Sequence, residues 1–105
     1  MTTFDKREEG FEKKFALDEE QKFKAEARRN RLLGLWVADR LGMSGEAANA
    51  YAKEVVAAEF ESPGAVARKV SADLANKAIA VTEPELRAKM DELLAQAVAQ
   101  VKAGI

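Results

Sequence analysis

The sequence contains neither cysteine nor histidine. Without cysteine there are no disulfides and no thiolate chemistry, and without either residue the usual zinc sites are excluded. Histidine is also the commonest general base near neutral pH, so an enzyme would depend on carboxylates, lysines and the single tyrosine. No motif organises these groups into a cleft. We therefore expect a protein that is not an enzyme and that binds no metal.

Long apolar runs are missing too. No run approaches the roughly 20 residues of a transmembrane helix, and the first ten residues, MTTFDKREEG, lack the apolar core of a signal peptide. We therefore expect no membrane insertion and a cytoplasmic location. The 105 residues suffice for one domain with a modest core, and the net charge of −1 creates no global field that attracts nucleic acid.

Charge is concentrated near the start of the chain. More than half of residues 1–31 carry a charge, a proportion typical of a solvated and adaptable segment. We divide the chain into an N-terminal arm, residues 1–19, and a packed body, residues 20–105. The arm is expected to be mobile and partly helical.

Three aromatic rings mark the arm. Phe4, Phe11 and Phe15 are spaced by seven and four residues, which places them on one line of a helix with an otherwise charged surface. One interpretation is an amphipathic helix, induced on binding, that offers these rings to a groove on another protein. The alternative is that the rings fold back on the body as a frayed first helix.

The body is predicted to begin with a long helix over residues 18–41, started by acidic residues and ended by Gly42 at the C′ position. The predicted core stripe consists of Phe23, Ala27, Gly34, Val37 and Leu41. From residue 32 to 41 the helix is apolar almost all round, which indicates burial by several neighbours. A glycine inside this helix favours a close approach of another backbone at Gly34.

Three shorter helices follow, so the fold is predicted to be all-α, a four-helix bundle. Ser44 would cap the second helix, residues 45–60, and Ser62 the third, with Pro63 at its first position. Thr82 and Glu85 form a capping box for the fourth. The predicted core faces are Tyr51, Ala52, Val55 and Ala58; Val66, Val70, Leu74 and Ala78; and Leu86, Met90, Leu93, Ala97 and Val101.

Two stretches carry a family resemblance. Residues 16–42, ALDEEQKFKAEARRNRLLGLWVADRLG, and residues 50–61, AYAKEVVAAEFE, closely resemble the zeta subunit family, the inhibitor of the F-type ATP synthase in alpha-proteobacteria. The resemblance implies a four-helix bundle whose N-terminal segment inserts into the catalytic head of the synthase, at a catalytic interface next to the rotor, and blocks ATP hydrolysis. It also implies a location peripheral to the inner membrane and an ADP or ATP ligand in the bundle.

The residues of the arm suit this role. Phe4, Phe11 and Phe15 would supply apolar area to the interface, while four cations, Lys6, Arg7, Lys13 and Lys14, would pair with acidic rims. A segment that orders on binding can act as a wedge at an interface that exists only in some rotor states.

A nucleotide site is harder to place because no glycine-rich phosphate loop is present. The candidate face carries Arg28 and Arg29 for phosphate, Leu32, and Trp36 for adenine stacking. The alternative is that Trp36 belongs to the core and that the arginines pair with acids such as Glu26 and Asp39.

Three rival functions are open. A nucleic-acid module would use the cationic strip Lys22, Lys24, Arg28, Arg29 and Arg31, although acids interrupt it. An enzyme would use Glu83 and Glu85, which a capping box explains without catalysis. A helical adaptor, or a sensor of adenine nucleotide without inhibitory activity, would use the same arm or bundle on another partner.

Overall fold

Four α-helices form the part of the chain that the structure, a computed structural model, describes, namely residues 15–105. They are α1 (Glu19–Arg40), α2 (Gly45–Ala58), α3 (Ala65–Asn76) and α4 (Glu83–Lys102). Within these residues there is no strand. The prediction of an all-α, four-helix bundle is confirmed, whereas the arm up to residue 14 lies outside the described residues.

The predicted ends of α1 and the start of α4 are confirmed. Asp18 caps α1 in a reciprocal capping box with Gln21, and its carboxylate accepts from the Gln21 backbone N–H at 2.7 Å. Gly42 follows α1 with a left-handed φ of 82°. At α4, the Thr82 hydroxyl accepts from the backbone N–H of Glu85 at 3.2 Å.

The start of α3 was predicted wrongly. Ala65 N–H donates to Ser62 C=O at 3.1 Å, and Gly64 has φ 79° and ψ 0°. These are the features of a type II turn with proline and glycine at its two central positions, so Pro63 precedes the helix instead of opening it. Ser44 occupies the N-cap position of α2 as predicted, but its side chain makes no capping hydrogen bond.

Helix α1 is the centre of the bundle, since it contacts each of the other three helices. Its closest neighbour is α2. A Cβ atom placed on Gly34 would lie only 2.6 Å from the Cα atom of Ala52, which confirms the close approach predicted at this glycine.

The main core gathers buried side chains from all four helices. They are Leu33, Val37, Ala38, Tyr51, Val55, Ala58, Val66, Val70, Leu74, Leu86 and Leu93. The predicted faces of α2 and α3 are confirmed apart from Ala78, which is exposed and adopts a left-handed φ of 56° after the end of α3. On α4 Met90 and Val101 are only half-buried, and the buried Val98 was not in the predicted seam.

The predicted core stripe of α1 was wrong at its start. Phe23 is 61% exposed, whereas Leu33, outside the predicted stripe, is fully buried. Asn30 hydrogen-bonds to Glu59, the residue that follows α2, so α2 ends before it reaches the level of Phe23, two turns earlier on α1. Leu33 is buried because α1 has neighbours on more than one side.

Candidate functional site

The predicted arm residues fall mostly outside the described part of the chain. Those outside it are Phe4, Lys6, Arg7, Phe11, Lys13 and Lys14. Phe15 is described, and its half-buried ring packs against a second apolar cluster together with Leu94 and Val101. The buried members of this cluster are Leu17, Ala25 and Val98. The residue at the end of the aromatic line therefore contacts the body of the protein.

The chain turns sharply between Phe15 and α1. Ala16 has a left-handed φ of 54°, Leu17 is 7% exposed, and Asp18 caps the helix. Helix α1 thus has a defined first residue, and the segment before it is not a straight continuation of the helix.

Two arginines were predicted to bind the phosphates of a nucleotide. In the structure each of them donates a hydrogen bond to a side chain of the protein. Arg28 donates to the side-chain oxygen of Gln100 on α4 at 3.5 Å. Arg29 donates through Nε to the side-chain oxygen of Asn30 at 2.9 Å. Burial lowers the pKa of Arg29, while the carboxylates of Glu59, Glu26 and Asp91 act in the opposite direction.

Trp36 and Leu32, the other two predicted nucleotide residues, are half-buried and pack against the main core. The Trp36 ring is flanked by two cations. The guanidinium carbon of Arg40 lies 4.4 Å from the ring centroid, and Nζ of Lys89 lies 5.6 Å from it. The Lys89 contact joins α1 to α4 through the indole, whereas Arg40 lies on α1 itself. The four predicted residues thus follow one side of α1, and each has packing or polar contacts there.

A groove between α1 and α2 was missed by the sequence analysis. It has a volume of about 410 Å³ and is lined by Arg31, Asn49, Ala52, Lys53 and Val56. The close approach at Gly34 brings the flanks of the two helices together, which creates the groove one turn away. Ala52 and Val56 supply its apolar surface, and the other three residues supply hydrogen-bond donors.

The two cations of the groove differ from four others in the body. Lys24, Lys69, Arg87 and Lys89 each form an ion pair with an acid three or four residues away. Among the described residues, Arg31 and Lys53 form no such pair. The sequence carries a weak signal of this, since neither has an acid at helical spacing on its own helix.

A polar cluster joins α2 to α3. The Tyr51 hydroxyl donates to Asp73 Oδ2 at 2.7 Å, and Lys69 Nζ donates to the same oxygen at 3.1 Å. Burial raises the pKa of Tyr51 well above its ordinary value, and the hydrogen bond to Asp73 acts in the same direction. The cluster holds the two helices together at the edge of the main core.

The carboxylates considered for catalysis have structural contacts. Glu83 accepts from Arg87 at 2.9 Å, one helical turn away, and Glu85 accepts from the Thr82 hydroxyl at 3.1 Å. In residues 15–105 no group of three acids, cysteines or histidines could hold a metal ion. Nor does any helix of that range combine the length and apolar character needed to cross a bilayer.

The described residues thus define a small all-α bundle whose first helix is preceded by a charged, aromatic segment. The chain belongs to the ATPase inhibitor subunit zeta family, whose family model matches residues 1–100. This family is one of inhibitory regulatory subunits. The family resemblance carried by residues 16–42 and 50–61 is thereby confirmed.

A solved structure supports the fold. A protein whose structure was determined by solution NMR is 55% identical to this chain, with a TM-score of 0.68. The match covers 79% of this chain and 96% of the other. No curated protein matches the chain.

Proposed function

We propose that this protein inhibits ATP hydrolysis by the F-type ATP synthase by inserting the part of the N-terminal arm that precedes the turn at Ala16, residues 1–14, at a catalytic interface of the soluble head. Membership of the inhibitor family is the observation that carries the proposal. The capped start of α1 adds support, since it separates the charged segment from the helix that organises the core. The protein would then lie in the cytoplasm, held near the inner membrane by the synthase.

The chemistry of the arm is consistent with such an interface. Phe4 and Phe11 would each contribute about 1.5–3 kcal/mol if fully covered by the partner. Lys6, Arg7 and the two lysines before Phe15 would meet acidic side chains at the rim, which favours fast association. Part of this free energy is offset by the cost of ordering the segment on binding.

Point substitutions in the full-length chain test this proposal. Replacing Phe4 and Phe11 together by alanine should raise the concentration for half-inhibition of ATP hydrolysis by the purified soluble head at least tenfold. Phe60→Ala, at a ring of the body that is 72% exposed, is the matched control and should leave that concentration unchanged. Equal inhibition by all three proteins would remove the arm from the mechanism. Inhibition by none would favour an adaptor or a nucleotide sensor.

We propose further that the bundle binds ADP or ATP and thereby modulates inhibition. The observation that favours a site is the groove between α1 and α2, where Arg31 and Lys53 have no ion-pair partner among residues 15–105. Their charges suit phosphate, and the apolar floor suits a base or a ribose edge. The face with Arg28, Arg29, Leu32 and Trp36 is the second candidate.

Calorimetry with ADP distinguishes the two candidate sites. Arg31→Ala combined with Lys53→Ala should abolish the binding heat if the groove is the site. Arg28→Ala combined with Trp36→Phe should do so if the α1 face is the site. Adenosine, which lacks the phosphates, is the matched ligand and should bind at least tenfold more weakly at either. No heat with the wild-type chain would contradict nucleotide binding altogether.

A further inference from the structure

The second apolar cluster ties the residues before α1 to the C-terminal half of α4. Leu17 is buried there with Ala25 and Val98, and Phe15 packs on the same cluster. It is separate from the main core, which is built from the rest of the bundle. What this cluster fixes is therefore the position of the chain immediately before α1.

The turn at Ala16 runs against the local preference of the sequence. Residues 15–18, FALD, contain neither glycine nor proline, and alanine is the strongest helix former. Local propensity alone would continue α1 backwards through Phe15. Instead Ala16 adopts φ 54°, a conformation that non-glycine residues keep only where their surroundings enforce it. The burial of Leu17 and the capping box at Asp18 provide that enforcement.

We infer that this turn positions residues 1–14 of the inhibitory arm, with Leu17 and Val98 as the positioning residues that hold it. The inference rests on the proposed function. Residue 14 is bonded to Phe15, so the direction in which the arm leaves the bundle is set by the docked turn. When the turn opens, the arm is presented in many directions and only a fraction of molecules is competent to insert. Apparent affinity falls in proportion to that fraction.

Two substitutions at Ala16 separate the effect of backbone conformation from the effect of side-chain packing. The side chain of Ala16 is exposed, so exchanging it alters few contacts. Ala16→Gly is compatible with a left-handed φ, whereas a β-branched residue is strained there. The wild-type and Ala16→Gly chains should show nuclear Overhauser contacts from the Leu17 methyl groups to Val98 and Ala25, and should inhibit equally. Ala16→Val should lose these contacts and inhibit about tenfold more weakly.

A second pair of variants controls for stability. Leu17→Ala removes a buried side chain from the cluster before α1, and Val70→Ala removes one from the main core. With both variants folded by circular dichroism, Leu17→Ala should weaken inhibition about tenfold and Val70→Ala should not. The inference is overturned if Ala16→Val loses the contacts without losing inhibition, or if it keeps the contacts. Failure of the wild-type chain to inhibit would instead contradict the proposed function, and the contacts would still report on the turn.

Discussion

Asn30 on α1 donates a hydrogen bond of 2.7 Å to Oε2 of Glu59, just beyond α2. Asn30 is fully buried, and its side-chain oxygen accepts from Arg29 Nε at 2.9 Å. One amide therefore links a guanidinium of α1 to a carboxylate at the end of α2.

Replacing Asn30 by leucine should destabilise the fold by about 1–3 kcal/mol, because it removes the partner of two charged groups at a buried position. Urea denaturation gives the free energy of unfolding directly. Asn76→Leu, at an exposed asparagine at the end of α3, is the matched control and should change it by less than about 0.5 kcal/mol. An equal effect of the two substitutions would show that the buried hydrogen bonds make no net contribution to the free energy of unfolding.

Gly34→Ala should also be destabilising, even though alanine is the better helix former. The added Cβ would lie 2.6 Å from the Ala52 Cα, a backbone atom that cannot turn aside. Separating the two helices should cost about 1–3 kcal/mol, more than the roughly 1 kcal/mol gained in helix propensity. The unfolding midpoint in urea measures the balance. A raised midpoint would mean that α1 and α2 are not held in close contact.

The raised pKa of Tyr51 predicts that the protein loses stability at high pH. Its raised pKa means that the folded state keeps the phenol proton where the unfolded state releases it. The unfolded state then binds fewer protons, so the free energy of unfolding falls as pH rises above about 10. Tyr51→Phe should cost about 1–2 kcal/mol at neutral pH through the lost bond to Asp73, and this difference from the wild type should shrink at alkaline pH. A difference that stays constant with pH would contradict the account.

Deleting residues 1–14 should leave the bundle intact. Among residues 15–105, the buried members of the two clusters lie at position 17 or later, and the Asp18 cap is retained. The thermal midpoint should therefore shift by no more than a few degrees. Deleting residues 1–19 instead removes Leu17 and the cap and should lower the midpoint further. A large loss from the shorter deletion would show that residues 1–14 contribute to the folded body.

The sequence was sufficient where a helix has one clear buried face. Tyr51, Ala52, Val55 and Ala58 were predicted together because α2 alternates polar and apolar sides with helical period, and all four are buried. The Thr82 cap was predicted because capping is a local interaction between residues three apart, and the start of α1 was predicted from its acidic first turn.

Periodicity could not show where neighbouring helices end. It assigned Phe23 to the core stripe of α1, yet α2 is too short to cover that residue. Val98 is buried although it lies outside the predicted seam of α4. Leu33 lies outside the predicted stripe of α1, but its burial agrees with the prediction that residues 32–41 are buried by several neighbours. Pro63 fits the first turn of a helix as well as a type II turn, and the following glycine decided for the turn.

The candidate sites depended even more on tertiary contacts. The groove with Arg31 and Lys53 exists because Gly34 lets α1 and α2 approach, so its residues come from two helices. The turn at Ala16 was not foreseen because alanine favours a helix, whereas the packing of Leu17 and the capping box at Asp18 hold the turn in place.

The most direct measurement is steady-state ATP hydrolysis by the purified soluble head of an F-type ATP synthase, titrated with the full-length chain and with the chain lacking residues 1–14. We expect saturable inhibition by the full-length chain and no inhibition by the chain lacking residues 1–14, with both proteins folded. Equal inhibition by the two would place the inhibitory surface on the bundle and contradict the role assigned to the arm.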